Sequence, residues 1–337
     1  MNPKASAFGS LVDEICSVCR QGVQVVVVSS GSIVLGLGEL GQRVRPTDVA
    51  SLQALAGIGQ NVLMSLYTQL LKKNRYRCAQ ILLTWDDFND RARYNSARHT
   101  IDKILDYGVI PIINENDTIS NDEIRFGDND RLSALVASLI NADLLLILSD
   151  VDGLYDTQSS DKKVFREIKE VTKEIESLAL GTSNKNVSKG GMVTKLEAVK
   201  IVTQAKIPCV IANANASHVI SDILKGEQIG TLFVEKEDKL LAKRHWISFA
   251  AKPKGKVVVD AGAKQALLKG GKSLLLPGLV SWEGYFKKDD VVAVVDAQGQ
   301  EFARGIINYS VSDLHTAKDK KRKTEVIHRD DMVLCQR

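Results

Sequence analysis

Amides, carboxylates, glycines and lysines gather in four short regions of this chain. Ser29-Ser30-Gly31-Ser32 follows one apolar run and precedes Ile33-Val34-Leu35-Gly36. Small hydroxyl residues and a glycine at a helix start expose backbone N–H groups, which suits a carboxylate or a phosphate. An ordinary strand-to-helix turn has the same composition. Asn114-Glu115-Asn116-Asp117 ends another apolar run, and Gly127-Asp128-Asn129-Asp130 leads into Arg131. A single cluster of this kind is explained by an N-cap from Asn129 or Asp130. Two close together, both at strand–helix transitions, weaken that explanation. Such groups can grip the ammonium of an amino acid, and a carboxylate can hold a lysine in place. The fourth region has two parts, Ser149-Asp150-Val151-Asp152-Gly153-Leu154-Tyr155 and Ser188-Lys189-Gly190-Gly191-Met192-Val193-Thr194-Lys195. Two glycines before a helix let the backbone approach a phosphate, and a lysine in the first turn neutralises a transferring phosphoryl group. A flexible loop is the plain alternative; the placement of Lys195 favours the phosphate. No GxxxxGK(S/T) sequence occurs, which argues against a Walker-type nucleotidase. The five histidines are scattered, and none is assigned a catalytic role.

The elements that must hold these regions alternate in type. A stripe of Phe8, Leu11, Val12, Ile15, Cys16 and Cys19 predicts a first helix, with Asn2 as cap and Pro3 in its first turn. Largely apolar runs at 23–28, 78–83, 109–113, 144–148 and 209–212 read as buried strands. Helical patterns fall at 47–73, 89–107, 131–141, 192–204 and 217–224. This alternation predicts an α/β domain with a mainly parallel sheet, whose ligands sit at the carboxyl ends of the strands. The four polar regions fall there. Near Trp246 the pattern changes. A basic linker at 252–256 precedes short strand candidates at 257–259, 273–276, 291–295 and 302–308, separated by glycine-rich turns. We therefore expect domains at 1–247 and 248–337, the second small and β-rich.

Composition sets the outer bounds. A chain of 337 residues suits about two domains, and 44% hydrophobic against 26% charged residues excludes a disordered chain. Lys and Arg total 45 against 41 for Asp and Glu, too mild an excess to indicate nucleic acid by itself. Residues 248–337 hold 16 basic and 11 acidic residues, with a charge run at 318–323. That motivates RNA binding as an alternative function; few stacking aromatics and a modest charge count against it. Five cysteines, sparse and odd in number, read as free thiols of a reducing, cytoplasmic protein. Cys16 and Cys19 form a CxxC, but both lie on the apolar stripe, and no second pair completes a zinc set, so they read as core. No apolar run reaches the ~18–20 residues of a membrane span, and no signal peptide is evident.

Taken in order, SSGSIVLG, INENDTI, FGDNDRLSALVA, LSDVDGLYD and SKGGMVTK resemble the glutamate 5-kinase family, with the match running through nearly all of residues 3–337. The second domain, with HRDDM at 328–332, resembles the PUA domain these enzymes often carry. The resemblance implies an α/β amino-acid-kinase-like three-layer sandwich with a mainly parallel central sheet, followed by a PUA-like domain. It implies phosphorylation of the L-glutamate side-chain carboxylate by ATP, with Mg²⁺ carried by ATP, as the first step of proline biosynthesis. Ser30, Asp117 and Asn129 then match glutamate-binding positions, with Asn114 and Asp128 lining the same pocket. Ser149 and Asp150 match a nucleotide loop. Lys189, Gly190, Gly191, Met192, Val193, Thr194 and Lys195 match the ATP loop, with Lys195 neutralising phosphate and Asp130 orienting the catalytic lysines. No residue is implied as a metal ligand. Proline as feedback inhibitor and a homo-oligomer are further implications. Because the glutamate carboxylate is already ionised at neutral pH, the reaction needs positioning and charge neutralisation more than a general base.

Three departures qualify the resemblance. The family begins with a strand carrying a Lys-x-Gly-Ser/Thr loop, whereas only Met1 and Asn2 precede the first helix here. The expectation is a sheet without its first strand, leaving unpaired backbone and a gap. A start displaced from upstream is favoured over a degraded copy because the downstream motifs are intact; a catalytically impaired remnant is the alternative. Lys189 stands where the family usually has a small residue, and the PUA-like tail looks shortened after Leu314. Another amino-acid kinase, for aspartate or acetylglutamate, is a further alternative.

Overall fold

The structure is a computed structural model that describes residues 3–119, 129–156, 163–180, 191–234, 246–318 and 324–335. Asn2, Gly127, Asp128, Ser188, Lys189, Gly190 and, of the charge run at 318–323, residues 319–323 lie outside the described residues. The chain divides into two compact units, one formed by 1–87 and 91–239 and the other by 88–90 and 240–337.

In the first unit, α1 (Pro3–Arg20) buries Val12, Ile15, Cys16 and Val18. The apolar run that follows forms only a two-residue strand, β1 (Val27–Val28), where the sequence predicts 23–28. After it come α2 (Ser32–Glu39) and α3 (Val49–Lys73). Asp48 caps α3 by accepting the Ser51 N–H at 2.9 Å. This is the one helix among the described residues with the length and apolarity to cross a membrane. Its stripe of Leu52, Leu55, Ala56, Leu63, Tyr67 and Leu71 is buried within the unit, as in a core helix. Next are β2 (Cys78–Leu83), α4 (Trp85–Asn89), α5 (Arg91–Asp106) and β3 (Ile110–Glu115). The helix expected over 89–107 is thus preceded by a separate short helix. Asp87 fixes its start, accepting from the Thr84 N–H at 2.7 Å and hydroxyl at 2.9 Å.

The rest of this unit is α6 (Asn129–Ile140), β4 (Leu145–Ser149), β5 (Glu167–Ile168), α7 (Lys173–Leu180), α8 (Met192–Gln204), β6 (Cys209–Asn213), α9 (Val219–Leu224) and β7 (Thr231–Phe233). The strands form two sheets. One has the order β1-β3-β2, all parallel. The other has the order β4-β6-β7-β5, in which β6 and β7 are antiparallel and the other pairs parallel. The mainly parallel character holds, but the strands do not form one continuous sheet. Among the described residues, β1 and β4 each keep one edge without a partner strand. A single apolar cluster nevertheless joins the sheets. It contains Ile15 and Cys16 of α1, Leu63 of α3, Ile112 of β3, and Val210 and Ala212 of β6.

The second unit contains a π-helical turn (Trp246–Ala250), β8 (Gly255–Val259), α10 (Ala261–Gly270), β9 (Leu274–Leu275), β10 (Leu279–Gly284), β11 (Val291–Val295), β12 (Glu301–Ile306), α11 (Val311–Lys318), β13 (Glu325–Ile327) and β14 (Met332–Leu334). Its main sheet has the order β10-β8-β11-β12-β14, and β13 pairs with β9. Val257, Phe286, Val292, Val294, Leu314 and Ile327 are among its core residues. The β-rich expectation holds, with α10 and α11 as additions.

Candidate active site

The loop 29–32 joins β1 to α2. Gly31 has φ +103°, a conformation that L side chains rarely adopt, and it stands at the N-cap of α2. Helix α2 then lies against α3 at backbone distance. A Cβ on Gly59 would fall 1.7 Å from the Ser32 carbonyl oxygen, and one on Gly36 would fall 2.1 Å from that of Leu55. This close approach buries Ser32 to 4% exposure. The Ser32 hydroxyl donates to Asp117 Oδ2 at 3.1 Å. Burial pushes the Asp117 carboxyl up from its ordinary range, opposed by the Ser32 hydrogen bond and the charge of Arg45. At the start of the loop, the Tyr67 hydroxyl donates to Ser29 Oγ at 3.1 Å. Ser30 is exposed.

Asn114 lies at the end of β3 and is 2% exposed. Its Nδ2 donates to Gln60 Oε1 at 2.9 Å, and its Oδ1 accepts from Asn129 Nδ2 at 3.0 Å. Asn129 opens α6, and Asp130 is next in the same turn. Asp130 Oδ2 accepts from Lys195 Nζ at 2.9 Å and from the Thr194 hydroxyl at 3.0 Å. Lys195 is 9% exposed, so its ammonium depends on this carboxylate for compensation. Behind the pair, burial and the charge of Asp130 push the Cys209 thiol far up.

Lys195 sits in the first turn of α8, after Gly191 at the N-cap. The first N–H groups of a helix have no intrahelical acceptor, so Met192 and Val193 bring backbone donors to the same end as the lysine. At the end of β4, the Ser149 hydroxyl donates to Asp150 Oδ1 at 3.1 Å. Asp152 accepts from Asn213 Nδ2 and from the Tyr155 hydroxyl, each at 2.8 Å, and these bonds hold its carboxyl below the ordinary range. A cavity of about 710 Å³ opens beside them, lined in part by Asp152, Val164, Arg166, Asn213 and Ile229.

Three groups result: Ser32 with Asp117, Gln60 with Asn114 and Asn129, and Asp130 with Thr194 and Lys195. Asp128, Lys189 and Gly190 fall outside the described residues. Sequence reasoning named Ser32 only as part of the loop 29–32, without its partner, and missed Gln60 and Asn213. Gln60 left a signal, an amide on the otherwise apolar stripe of α3.

The amino acid kinase family profile matches residues 1–213, and a PUA domain profile matches residues 255–329. A curated glutamate 5-kinase of Caldanaerobacter subterraneus subsp. tengcongensis is 42% identical, over 97% of this chain and 91% of its own length. One from Dictyoglomus thermophilum is 43% identical, over 100% of this chain and 94% of its own. The chain belongs to the glutamate 5-kinase family. The identity to these family members spans both units of the chain. Among solved structures, a carbamate kinase from Giardia lamblia bound to AMP-PNP aligns with 68% of this chain and 90% of its own, at 17% identity and a TM-score of 0.47.

Proposed function

We propose that this chain transfers the γ-phosphoryl group of ATP to the side-chain carboxylate of L-glutamate, forming glutamyl 5-phosphate for proline biosynthesis. The observation that carries the reading is the first turn of α6. There, consecutive residues hold the amide cluster, through Asn129, and the lysine cluster, through Asp130. Family membership supplies the substrate identities.

In this reading Ser30, Asn114, Asp117, Asp128 and Asn129 bind glutamate, with Asp117 drawn to its ammonium. Ser149, Asp150 and the loop from Lys189 through Gly190, Gly191, Met192, Val193, Thr194 and Lys195 hold ATP. Mg²⁺ is assigned to the ATP phosphates, where it supplies charge neutralisation. A carboxylate oxygen attacks the γ-phosphorus, the bond from phosphorus to the bridging oxygen breaks, and ADP leaves. No proton moves in that step. Lys195 neutralises charge on the transferring group, and Asp130 fixes its ammonium, so catalysis rests on positioning and electrostatics.

By the same family relationship we propose a kinase domain at 1–247, a PUA-like domain at 248–337, a cytoplasmic location, a homo-oligomer and proline as feedback inhibitor. No RNA partner is proposed for residues 248–337. The test is ADP release with a panel of L-glutamate, aspartate and N-acetylglutamate. Preference for glutamate supports the reading; preference for another acid overturns it.

A further inference from the structure

Gln60 is 8% exposed in the middle of α3. Its Oε1 accepts from Asn114, yet its Nε2 is buried and makes no hydrogen bond among the described residues. An unpaired buried amide nitrogen is costly, and a leucine or methionine would fill this stripe without that cost. The geometry shows what the amide does there. A side-chain amide has one donor end and one acceptor end. Gln60 Oε1 faces the donor end of Asn114 at 2.9 Å, which turns the acceptor end of Asn114 toward Asn129 Nδ2 at 3.0 Å. The donor end of Asn129 is thereby engaged, and its Oδ1, which has no donor among the described residues, remains to accept from a ligand. The polarity of an amide at the edge of the site is thus set by a buried residue two hydrogen bonds away.

We propose that Gln60 is a positioning residue that determines specificity: by fixing Asn114 it presents Asn129 Oδ1 to the ammonium group of an amino-acid substrate. This rests on the glutamate reading of the site and deepens it. Gln60 itself touches no substrate. The ligands that expose its role are L-glutamate and glutarate, which share both carboxylates and differ in the ammonium group.

The test is calorimetric binding of L-glutamate, glutarate and MgATP to the full chain and to two variants. Gln60→Met removes both polar ends. Glutamate binding is expected to weaken about tenfold, the size of one hydrogen bond, with glutarate and MgATP changed less than about twofold. Gln60→Glu keeps the acceptor toward Asn114 and is expected to retain the preference for glutamate within about threefold. If Gln60→Met does not fold, Gln60→Glu decides: retained preference supports the role, and lost preference contradicts it. Equal weakening of glutamate and glutarate by Gln60→Met would assign the residue to packing alone and overturn the proposal. A wild-type chain that binds neither acid would overturn the glutamate reading, and this proposal with it; the wild-type titration separates that failure from a failure of Gln60.

Discussion

Lys195 Nζ lies 2.9 Å from Asp130 Oδ2, a pair that joins the first turn of α8 to the first turn of α6. Both side chains are largely removed from solvent, so the carboxylate fixes the direction of the ammonium and balances its charge. Lys195→Met should lower kcat about 10³-fold, since it removes a charge aimed at the transferring phosphoryl group. Asp130→Asn should lower kcat roughly 10–100-fold through loss of lysine positioning. Steady-state kinetics check both, and a change confined to the glutamate KM would contradict the assignment.

Asp117 gives a pH-dependent prediction. Its carboxyl is raised by burial, so the folded chain binds this proton more tightly than the unfolded chain. The resulting contribution to stability is fully present below the unfolded pKa, about 4, and is lost as pH rises through the folded value. Asp117→Asn removes the buried charge while leaving a partner for Ser32. In thermal melts without ligand the variant should exceed wild type at pH 7, with the gap closing toward pH 4. It should also lose the stabilisation that glutamate gives to wild type. A variant less stable than wild type at pH 7 would contradict the burial argument.

Gly59 and Gly36 predict a structural lesion at the site. Any side chain on Gly59 meets the Ser32 carbonyl, so Gly59→Ala must push α2 away from α3 and carry Ser32 off Asp117. We expect a loss of about 1–3 kcal/mol in urea unfolding, as for overpacked cores, together with weaker glutamate binding. Gly38 has open space at its Cβ position and serves as the control; Gly38→Ala should be neutral within about 0.5 kcal/mol.

The edges of β1 and β4 that have no partner strand among the described residues should be visible in hydrogen exchange. The Leu145 N–H donates to the Pro208 carbonyl of the segment leading into β6. By strand alternation the Leu146 and Leu148 amides face the edge that has no partner strand among the described residues. They should exchange faster than Leu145 and Ile147 in residue-resolved measurements. Equal protection along β4 would show that the edge is covered.

The strand–helix alternation and the glycine- and lysine-bearing loops were legible because their signals are local. Residues 192–204 read as a helix by period, and that helix is α8. By contrast, β5 and β7 have two and three residues, too few for a period to register. The pairings of Ser32 and Gln60 escaped for another reason. Each belongs to the site through a contact distant in sequence, Ser32 with Asp117 and Gln60 with Asn114, and such pairings exist only once α2, α3 and β3 are packed.

The central claim is acyl phosphate formation on glutamate, and trapping measures it most directly. The full chain is incubated with L-glutamate, MgATP and hydroxylamine, and the glutamyl hydroxamate is quantified by mass spectrometry. The account predicts hydroxamate that depends on both glutamate and ATP and falls to background in Lys195→Met. Hydroxamate no greater than in the control without glutamate, or undiminished in Lys195→Met, would contradict it.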